Sequence, residues 1–144
     1  YCAIASSFML SADNAHAVHP HHPQKTDATN CVYMNEGIVV KSHAGQKYTS
    51  DAVSVAVFKD LCKKANVPVQ FFANRSDEAG GSTLGNIAMA QVSMNSVDIG
   101  LPQLAMHSTY ETAGIKDTYY MIQVMTEFFN SHISEVNSHS LKVD

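Results

Sequence analysis

The residues that could do chemistry begin with an aspartate and four histidines near the start of the chain. Asp13 follows a short apolar run, and His16, His19, His21 and His22 come within the next nine residues. Carboxylate oxygen and imidazole nitrogen are both ligands that zinc takes. We interpret Asp13 as a candidate metal ligand supported by His16 and His19, and His21 and His22 as surface residues. The alternative for Asp13 is a turn or capping residue.

A second candidate ligand is His107, in the segment AMHSTYE. If a helix starts there, Glu111 stands one turn away and can hold the far imidazole nitrogen, as carboxylates do for zinc-bound histidines. The alternative is a buried imidazole satisfied by its neighbours. A mononuclear metal site formed by Asp13, His16 and His107 is also open on the residues alone.

The glycine-rich turn GGSTLG and a lysine add possible ligand contacts. The turn lacks the Gly-Lys-Ser/Thr ending of a phosphate loop, which argues against nucleotide binding. Gly80 and Gly81 would let a ligand approach the backbone, with helix N–H groups from Ser82 onward facing the site. A helix entry capped by Ser82 or Thr83 explains the turn equally well. Lys41 closes an apolar strand, where it is either solvated or a point charge that selects acidic substrate groups.

Alternating strands and helices must position these residues. Strands are predicted over residues 4–12, 38–40, 67–73 and 97–99, and helices over 50–65, 87–92 and 117–130. Residues 14–35 are predicted to form a long loop, and loops of that length in compact domains are usually functional. The alternation indicates an α/β layered domain. The tail after His132 is predicted to be polar and frayed.

Composition narrows the class of protein. The 144 residues, 45% hydrophobic and 15% charged, suit one globular domain or a large part of one. A formal charge of −4 offers no basic face to nucleic acid or anionic lipid. The widely spaced Cys2, Cys31 and Cys62 argue against a disulfide framework or a thiolate zinc site, and favour a reducing cytoplasm. Because the chain opens on Tyr1, we expect it to be a piece of a longer protein.

The segment SFMLSADNAHAVHPHHP resembles the signature of the aspartyl aminopeptidase family of zinc metallopeptidases. The similarity continues through GIVVKSHAGQKY, RSDEAGGSTLG, VDIGLPQLAMHS and the final helix. It implies an α/β layered sandwich of the zinc-peptidase type, with a mixed sheet flanked by helices. Residues 1–133 would be the C-terminal part of the catalytic domain, and 134–144 a polar tail. The family's inserted dimerisation domain would lie outside this chain.

The resemblance also implies roles for individual residues. Asp13 would ligate one of two zinc ions and His107 the other, while His16, Lys41 and Tyr48 would contact substrate. The family's other ligands and its general-base glutamate precede the signature segment. We therefore expect this chain alone to bind zinc weakly and to catalyse nothing.

For the complete protein, the resemblance implies a cytoplasmic aminopeptidase that removes N-terminal residues, expected to be Asp or Glu, from peptides. Attack by a metal-activated water would be the reaction. Large homo-oligomers are expected, with neither nucleic acid nor membrane as a partner. The alternative is a non-catalytic truncated homologue that acts as an assembly or binding module, although the intact Asp13, His16, Lys41 and His107 speak against decay of the site.

Overall fold

The computed structural model describes residues 2–137 and 140–144. Its elements are α1 (Cys2–Ala5), β1 (Phe8–Ala12), β2 (Ala15–His16), a 3-10 turn (Pro23–Lys25), β3 (Ile38–Ser42), α2 (Ala52–Lys64), β4 (Val69–Ala73), α3 (Leu84–Gln91), β5 (Asn95–Gly100), β6 (Pro102–Leu104), β7 (Thr112–Ala113), α4 (Ile115–Asn130), β8 (Ile133–Asn137) and β9 (Ser140–Val143). Among these residues, no helix has both the length and the apolar character needed to cross a bilayer.

A four-stranded mixed sheet, in the order β1-β5-β3-β4, forms the centre of the fold. β1 is parallel to β5 and β3 to β4, while β3 and β5 are antiparallel. One face of this sheet packs against α2 and α4, and Phe58, Leu61 and Val124 of these helices join the apolar core. α3 contacts β1 and β5. The predicted α/β class, with a mixed sheet flanked by helices, is confirmed.

A row of mostly polar side chains crosses the central sheet. Ser11 of β1 pairs with Asp98 of β5, and Lys41 of β3 pairs with Phe72 of β4. The register of β3 against β5, extended by one residue, brings Lys41 beside Asp98. Because neighbouring residues in register share a face, these four side chains lie together, opposite the core formed with α2 and α4. All four are buried.

The helix predicted over residues 50–65 is α2, and its start has a clear cause. The Asp51 carboxylate accepts hydrogen bonds from the backbone N–H groups of Val53 and Ser54, which otherwise have no partner in a first helical turn. Beyond the helix, Pro68 comes before β4. The predicted strand over 67–73 therefore begins two residues later than expected.

Two predictions near the start of the chain are wrong. The strand predicted over 4–12 begins only at Phe8, because Cys2–Ala5 forms a short helical turn. The Ser7 hydroxyl donates a hydrogen bond to the carbonyl of Ala3 at 2.7 Å at the end of this turn. The long loop over 14–35 is interrupted by β2, which pairs with β6 in a small second sheet. That pairing holds His16 on a strand instead of a free loop.

The tail after His132 is also not frayed. β8 and β9 pair as an antiparallel hairpin, and Ile133, Leu141 and Val143 pack against the core. The ammonium of Lys64, at the end of α2, donates to the carbonyl of Val143 at 2.9 Å. The predicted frayed tail is wrong because these alternating apolar residues bury against the core, although most residues of the tail are polar.

Candidate active site

A cavity of about 180 Å³ is lined by Lys41 and Phe72 of the polar row and by loops that border the sheet. The predicted site residues that line it are Asp13, His16, Lys41, Tyr48, Gly81, Ser82 and His107. They come from four separate stretches of the chain, residues 13–16, 41–48, 81–82 and 107. The fold therefore brings most of the predicted site together in one place.

Asp13 is held at its position by its backbone. Its N–H donates to the carbonyl of Ile99 at 2.9 Å, so the residue continues the pairing of β1 with β5. A Cβ on Gly100 would lie 2.0 Å from the Asp13 carbonyl oxygen, which only glycine avoids. The side chain of Asp13 remains 59% exposed, with one oxygen 3.7 Å from the Lys41 ammonium. Its carboxylate is thus fixed in place yet open to a further ligand.

Lys41 presents a buried positive charge to the cavity. Its side chain is only 2% exposed, and Nζ lies 5.2 Å from the centre of the Tyr48 ring. Burial lowers the pKa of Lys41, and the negative charges of Asp13 and Asp98 act in the opposite direction. An ammonium group has three donors. A buried ammonium whose ion-pair partner is 3.7 Å away is well suited to receive the oxygen of an acidic ligand.

Tyr48 forms the wall beside Lys41. Its hydroxyl donates to Oδ1 of Asn74 at 3.2 Å, and its ring makes edge contacts with His43 and Phe72. Burial, followed by the charges of Asp98 and Asp13, raises the pKa of Tyr48. The hydroxyl therefore stays protonated at neutral pH and remains a hydrogen-bond donor.

His16, at the end of β2, and His107, in the turn after β6, both line the cavity. Partial burial lowers the pKa of His16, and the charges of His107 and Lys41 lower it further. His16 is therefore largely neutral at pH 7. His107 adopts φ +66° in a turn where Ala105 has φ +55°. Left-handed backbone at a non-glycine residue costs about 1–3 kcal/mol and is common at functional sites.

The comparison with known proteins decides the family. Residues 1–129 match the family described as aminopeptidase I zinc metalloprotease, M18. This chain belongs to the M18 family. The predicted resemblance to zinc metallo-aminopeptidases is thereby confirmed.

Individual relatives show how much of an M18 protein the chain represents. It is 53% identical over 128 residues to the probable M18 family aminopeptidase 2 of Clostridium novyi (strain NT), covering 89% of this chain and 30% of that protein. A chain of the Ape4 and Nbr1 complex superposes with a TM-score of 0.85 at 37% identity, covering 88% of this chain and 24% of that one. A chain of the yeast mApe1 dodecamer superposes with a TM-score of 0.77 at 27% identity, covering 88% of this chain and 27% of that one. The chain thus spans under a third of each relative.

Two of the predicted site residues lie outside the lining of this cavity. Residues 105–111 form turns instead of a helix, and Oε1 of Glu111 accepts from the backbone N–H of His107 at 2.6 Å. Glu111 thus supports the main chain of the turn, not the imidazole as predicted. Gly80 lines a neighbouring depression instead of the cavity, and its carbonyl accepts from Nζ of Lys47 at 2.9 Å.

The donors available for zinc are of the right kind but too few. Within residues 2–137 and 140–144, no three or more His, Cys, Asp or Glu side chains are grouped closely enough to hold a metal ion. The mononuclear site of Asp13, His16 and His107 is therefore wrong for this structure. Asp13 and His107 can each supply one zinc ligand, and the described part of the chain does not complete a metal site.

Several cavity residues were not singled out from the sequence. Phe72 and Asn74 line the wall near Tyr48, and Asn14 donates to Oε1 of Gln103. None of these three residues has a spacing signal. Thr83, which the sequence offered as a possible cap, precedes α3, but its hydroxyl makes no capping bond and is buried without a partner among the described residues. The strand register and the turn before α3 bring them to the cavity.

The histidine-rich segment lies beside the site. His21 and His22 are exposed, as predicted. The ring of His19 stacks near that of His22, with centroids 5.2 Å apart. His16, His19 and His22 border a second cavity of about 260 Å³, and the two cavities share His16, Phe72, Asn74 and Ala79. Of these histidines, only His16 reaches the cavity that holds Asp13 and Lys41.

Proposed function

We propose that this chain forms part of the active site of a zinc aminopeptidase, with Asp13 as a ligand of one zinc ion and His107 as a ligand of a second. The observation that carries the proposal is the shared cavity, where both side chains meet His16, Lys41 and Tyr48. Membership of the M18 family supplies the zinc and the aminopeptidase class. Because the chain covers 30% of its Clostridium novyi relative, the proposal concerns the complete protein that contains it.

The substrate is a peptide whose N-terminal residue is Asp or Glu. The buried ammonium of Lys41 would pair with the side-chain carboxylate of that residue. The Tyr48 hydroxyl, held by Asn74, offers a neutral donor on the adjacent wall. A neutral N-terminal residue would leave the Lys41 charge without this partner, so acidic residues are preferred.

The chain's own residues orient the substrate for hydrolysis. When bound, zinc lowers the pKa of a coordinated water and polarises the scissile carbonyl. His16 is largely neutral, so it can donate or accept a hydrogen bond at the substrate backbone. The family resemblance implies that the general base would come from a part of the complete protein outside this chain. The chain on its own is therefore inactive.

The dodecameric relative and the free thiols bear on the assembly and location of the complete protein. The yeast mApe1 relative is a dodecamer, and we infer a homo-oligomer for the complete protein. Cys2, Cys31 and Cys62 are free thiols in the structure, which suits the cytoplasm.

A pair of peptides tests the proposal. The zinc-loaded complete protein is incubated with a short peptide that begins with Asp and with the same peptide carrying an N-acetyl group, and the products are identified by mass spectrometry. Release of free Asp from the first peptide alone is expected. Internal cleavage of the acetylated peptide would contradict an aminopeptidase. No cleavage of either would favour the non-catalytic binding module.

A further inference from the structure

Asp98 is a buried carboxylate for which the proposed chemistry has no use. Its residue is 0% exposed, and it lies in β5 within the polar row of the sheet. Removing a carboxylate from water is costly unless hydrogen bonds or an opposite charge compensate. The groups that compensate Asp98 therefore indicate what this residue holds in place.

Both carboxylate oxygens of Asp98 have close donors. Oδ1 accepts from the hydroxyl of Ser11 at 2.6 Å. Oδ2 accepts from the backbone N–H of Thr49 at 2.7 Å and from its hydroxyl at 2.9 Å. The Ser50 hydroxyl accepts from the backbone N–H of Asp98 at 3.0 Å. One residue thus ties β1 and the segment before α2 to β5.

Each of these partners adjoins a cavity residue. Ser11 lies in β1, two residues before Asp13, which directly follows that strand. Thr49 directly follows Tyr48. The bond to the Thr49 N–H therefore fixes the peptide group that joins Tyr48 to Thr49.

The same network reaches the glycine-rich turn. Oγ of Ser11 also accepts from the backbone N–H of Gly85, in the first turn of α3, at 3.2 Å. A Cβ on Gly85 would lie 2.5 Å from Oγ of Ser11 and 3.4 Å from Oδ1 of Asp98. This close approach sets the start of α3, and with it Gly81 and Ser82 in the cavity wall.

Asp98 also places a negative charge near the substrate-binding cation. The sheet register brings it beside Lys41, and its charge acts on both Lys41 and Tyr48. Lys41 is thus flanked by Asp13, which is half exposed, and by Asp98, which is fully buried. Only the first of these carboxylates is open to exchange its partner for a ligand.

We propose that Asp98 is a positioning residue for substrate binding, whose buried carboxylate holds Tyr48, the Asp13 strand and the glycine-rich turn in fixed relation to Lys41. The proposal rests on the proposed function, since it concerns the same cavity. It adds a residue that touches neither substrate nor metal and yet sets the preference for an acidic N-terminal residue.

The variant Asp98→Asn in the complete protein tests this role. Asparagine keeps the shape and one acceptor oxygen but loses the charge, and its NH₂ group replaces the other oxygen that accepts from Ser11 or Thr49. The kcat and KM values are measured for matched substrates that begin with Asp or Leu. We expect KM for the Asp substrate to rise and the ratio of kcat/KM values, Asp over Leu, to fall about tenfold or more. The dissociation constant of free L-aspartate, from calorimetry, should rise in parallel.

Asp117→Asn is a matched control. Asp117 is also 0% exposed, and its carboxylate also accepts from backbone N–H groups, those of Asn35 and Gly37. It joins the start of α4 to the loop before β3 instead of to the cavity. Its variant should lower the melting temperature and leave the Asp-over-Leu ratio unchanged. Equal melting-temperature losses in both variants, with an unchanged ratio in both, would make Asp98 merely structural and overturn the proposal.

A milder variant covers the case in which Asp98→Asn does not fold. Thr49→Val removes the hydroxyl, which donates to Asp98 at 2.9 Å and is hydrogen-bonded to the Ser96 hydroxyl at 2.9 Å, and it keeps the N–H bond to Asp98. It should lower the Asp-over-Leu ratio in the same direction by a smaller factor, and an unchanged ratio would overturn the proposal. Wild-type protein that releases no N-terminal residue would refute the proposed function instead. In that event the binding of L-aspartate to wild type and Thr49→Val still decides the role of Asp98.

Discussion

Replacing Lys41 with methionine removes the positive charge of the cavity and little else. The two side chains have similar length, and the Lys41 side chain is 2% exposed, so methionine should fill the same space. Asp13 loses its ion-pair partner, but its side chain is 59% exposed and can be solvated instead. The buried Asp98 loses a nearby positive charge but keeps its hydrogen bonds to Ser11 and Thr49. We therefore expect the variant to fold and the change to appear in substrate preference.

The size of the effect follows from the burial of the charge. A hydrogen bond to a charged group contributes about 1.5–3 kcal/mol. This corresponds to a loss of roughly 10- to 150-fold in kcat/KM for substrates that begin with Asp or Glu. Substrates that begin with Leu have no carboxylate to pair with Lys41. Their kcat/KM should stay the same or rise, because methionine suits an apolar side chain.

The assay compares aminoacyl substrates of Asp, Glu and Leu in the complete protein with and without Lys41→Met. Lys63→Met is the matched control, since this exposed lysine lies in the last turn of α2. It should leave all three rates unchanged. An acidic preference that survives in Lys41→Met would refute the assignment of Lys41 and with it the argument from the buried charge.

Substitutions at Gly100, Cys62 and Asp51, with a control at Gly81, test the structure itself. Gly100→Ala should destabilise the fold by about 1–3 kcal/mol, because the new Cβ would meet the carbonyl of Asp13 at 2.0 Å. Gly81→Ala, where a Cβ meets nothing within 4 Å, should leave the melting temperature unchanged. Burial raises the pKa of the Cys62 thiol to about 12, so iodoacetamide at pH 8 should modify it only in denaturant. Because the folded state keeps this thiol protonated, its contribution to the unfolding free energy is complete below the ordinary pKa of 9.0 and is lost as the pH rises toward 12. In Cys62→Val, the unfolding free energy measured against pH should lack this loss. Asp51→Ala should cost about 0.5–2 kcal/mol of unfolding free energy, measured in urea, because α2 loses its N-terminal cap.

Much of the fold could be predicted because the signals are local. The start of α2 depends on Asp51 and the residues just after it, and β3 is a run of apolar residues ending at Lys41. The tail was predicted wrongly because Ile133 and Leu141 gain their stability from the core, which the sequence alone does not display.

The candidate site also has a part that could be predicted from the sequence and a part that could not. Residue types and family resemblance were enough to select Asp13, His16, Lys41, Tyr48 and His107, and the structure places all of them on one cavity. The exact role of a neighbour could not be predicted from spacing. Glu111 is four residues from His107, but the turn brings it to the main-chain N–H.

Asp98 shows why the remainder could not be predicted. In the sequence it is one polar residue between Val97 and Ile99 of a short apolar strand. Its importance appears only when the sheet register brings Ser11 to one side and Lys41 to the other. Such a contact depends on pairing between distant strands, and local patterns do not encode it.

The zinc content of the complete protein tests the central claim most directly. Elemental analysis should find two zinc ions per protomer in the wild type, and fewer in Asp13→Ala and in His107→Ala, because each variant loses one ligand. His132→Ala, which removes an exposed histidine outside the cavity, should keep both ions. Full zinc content in Asp13→Ala and His107→Ala would contradict the claim that this cavity carries one ligand for each metal.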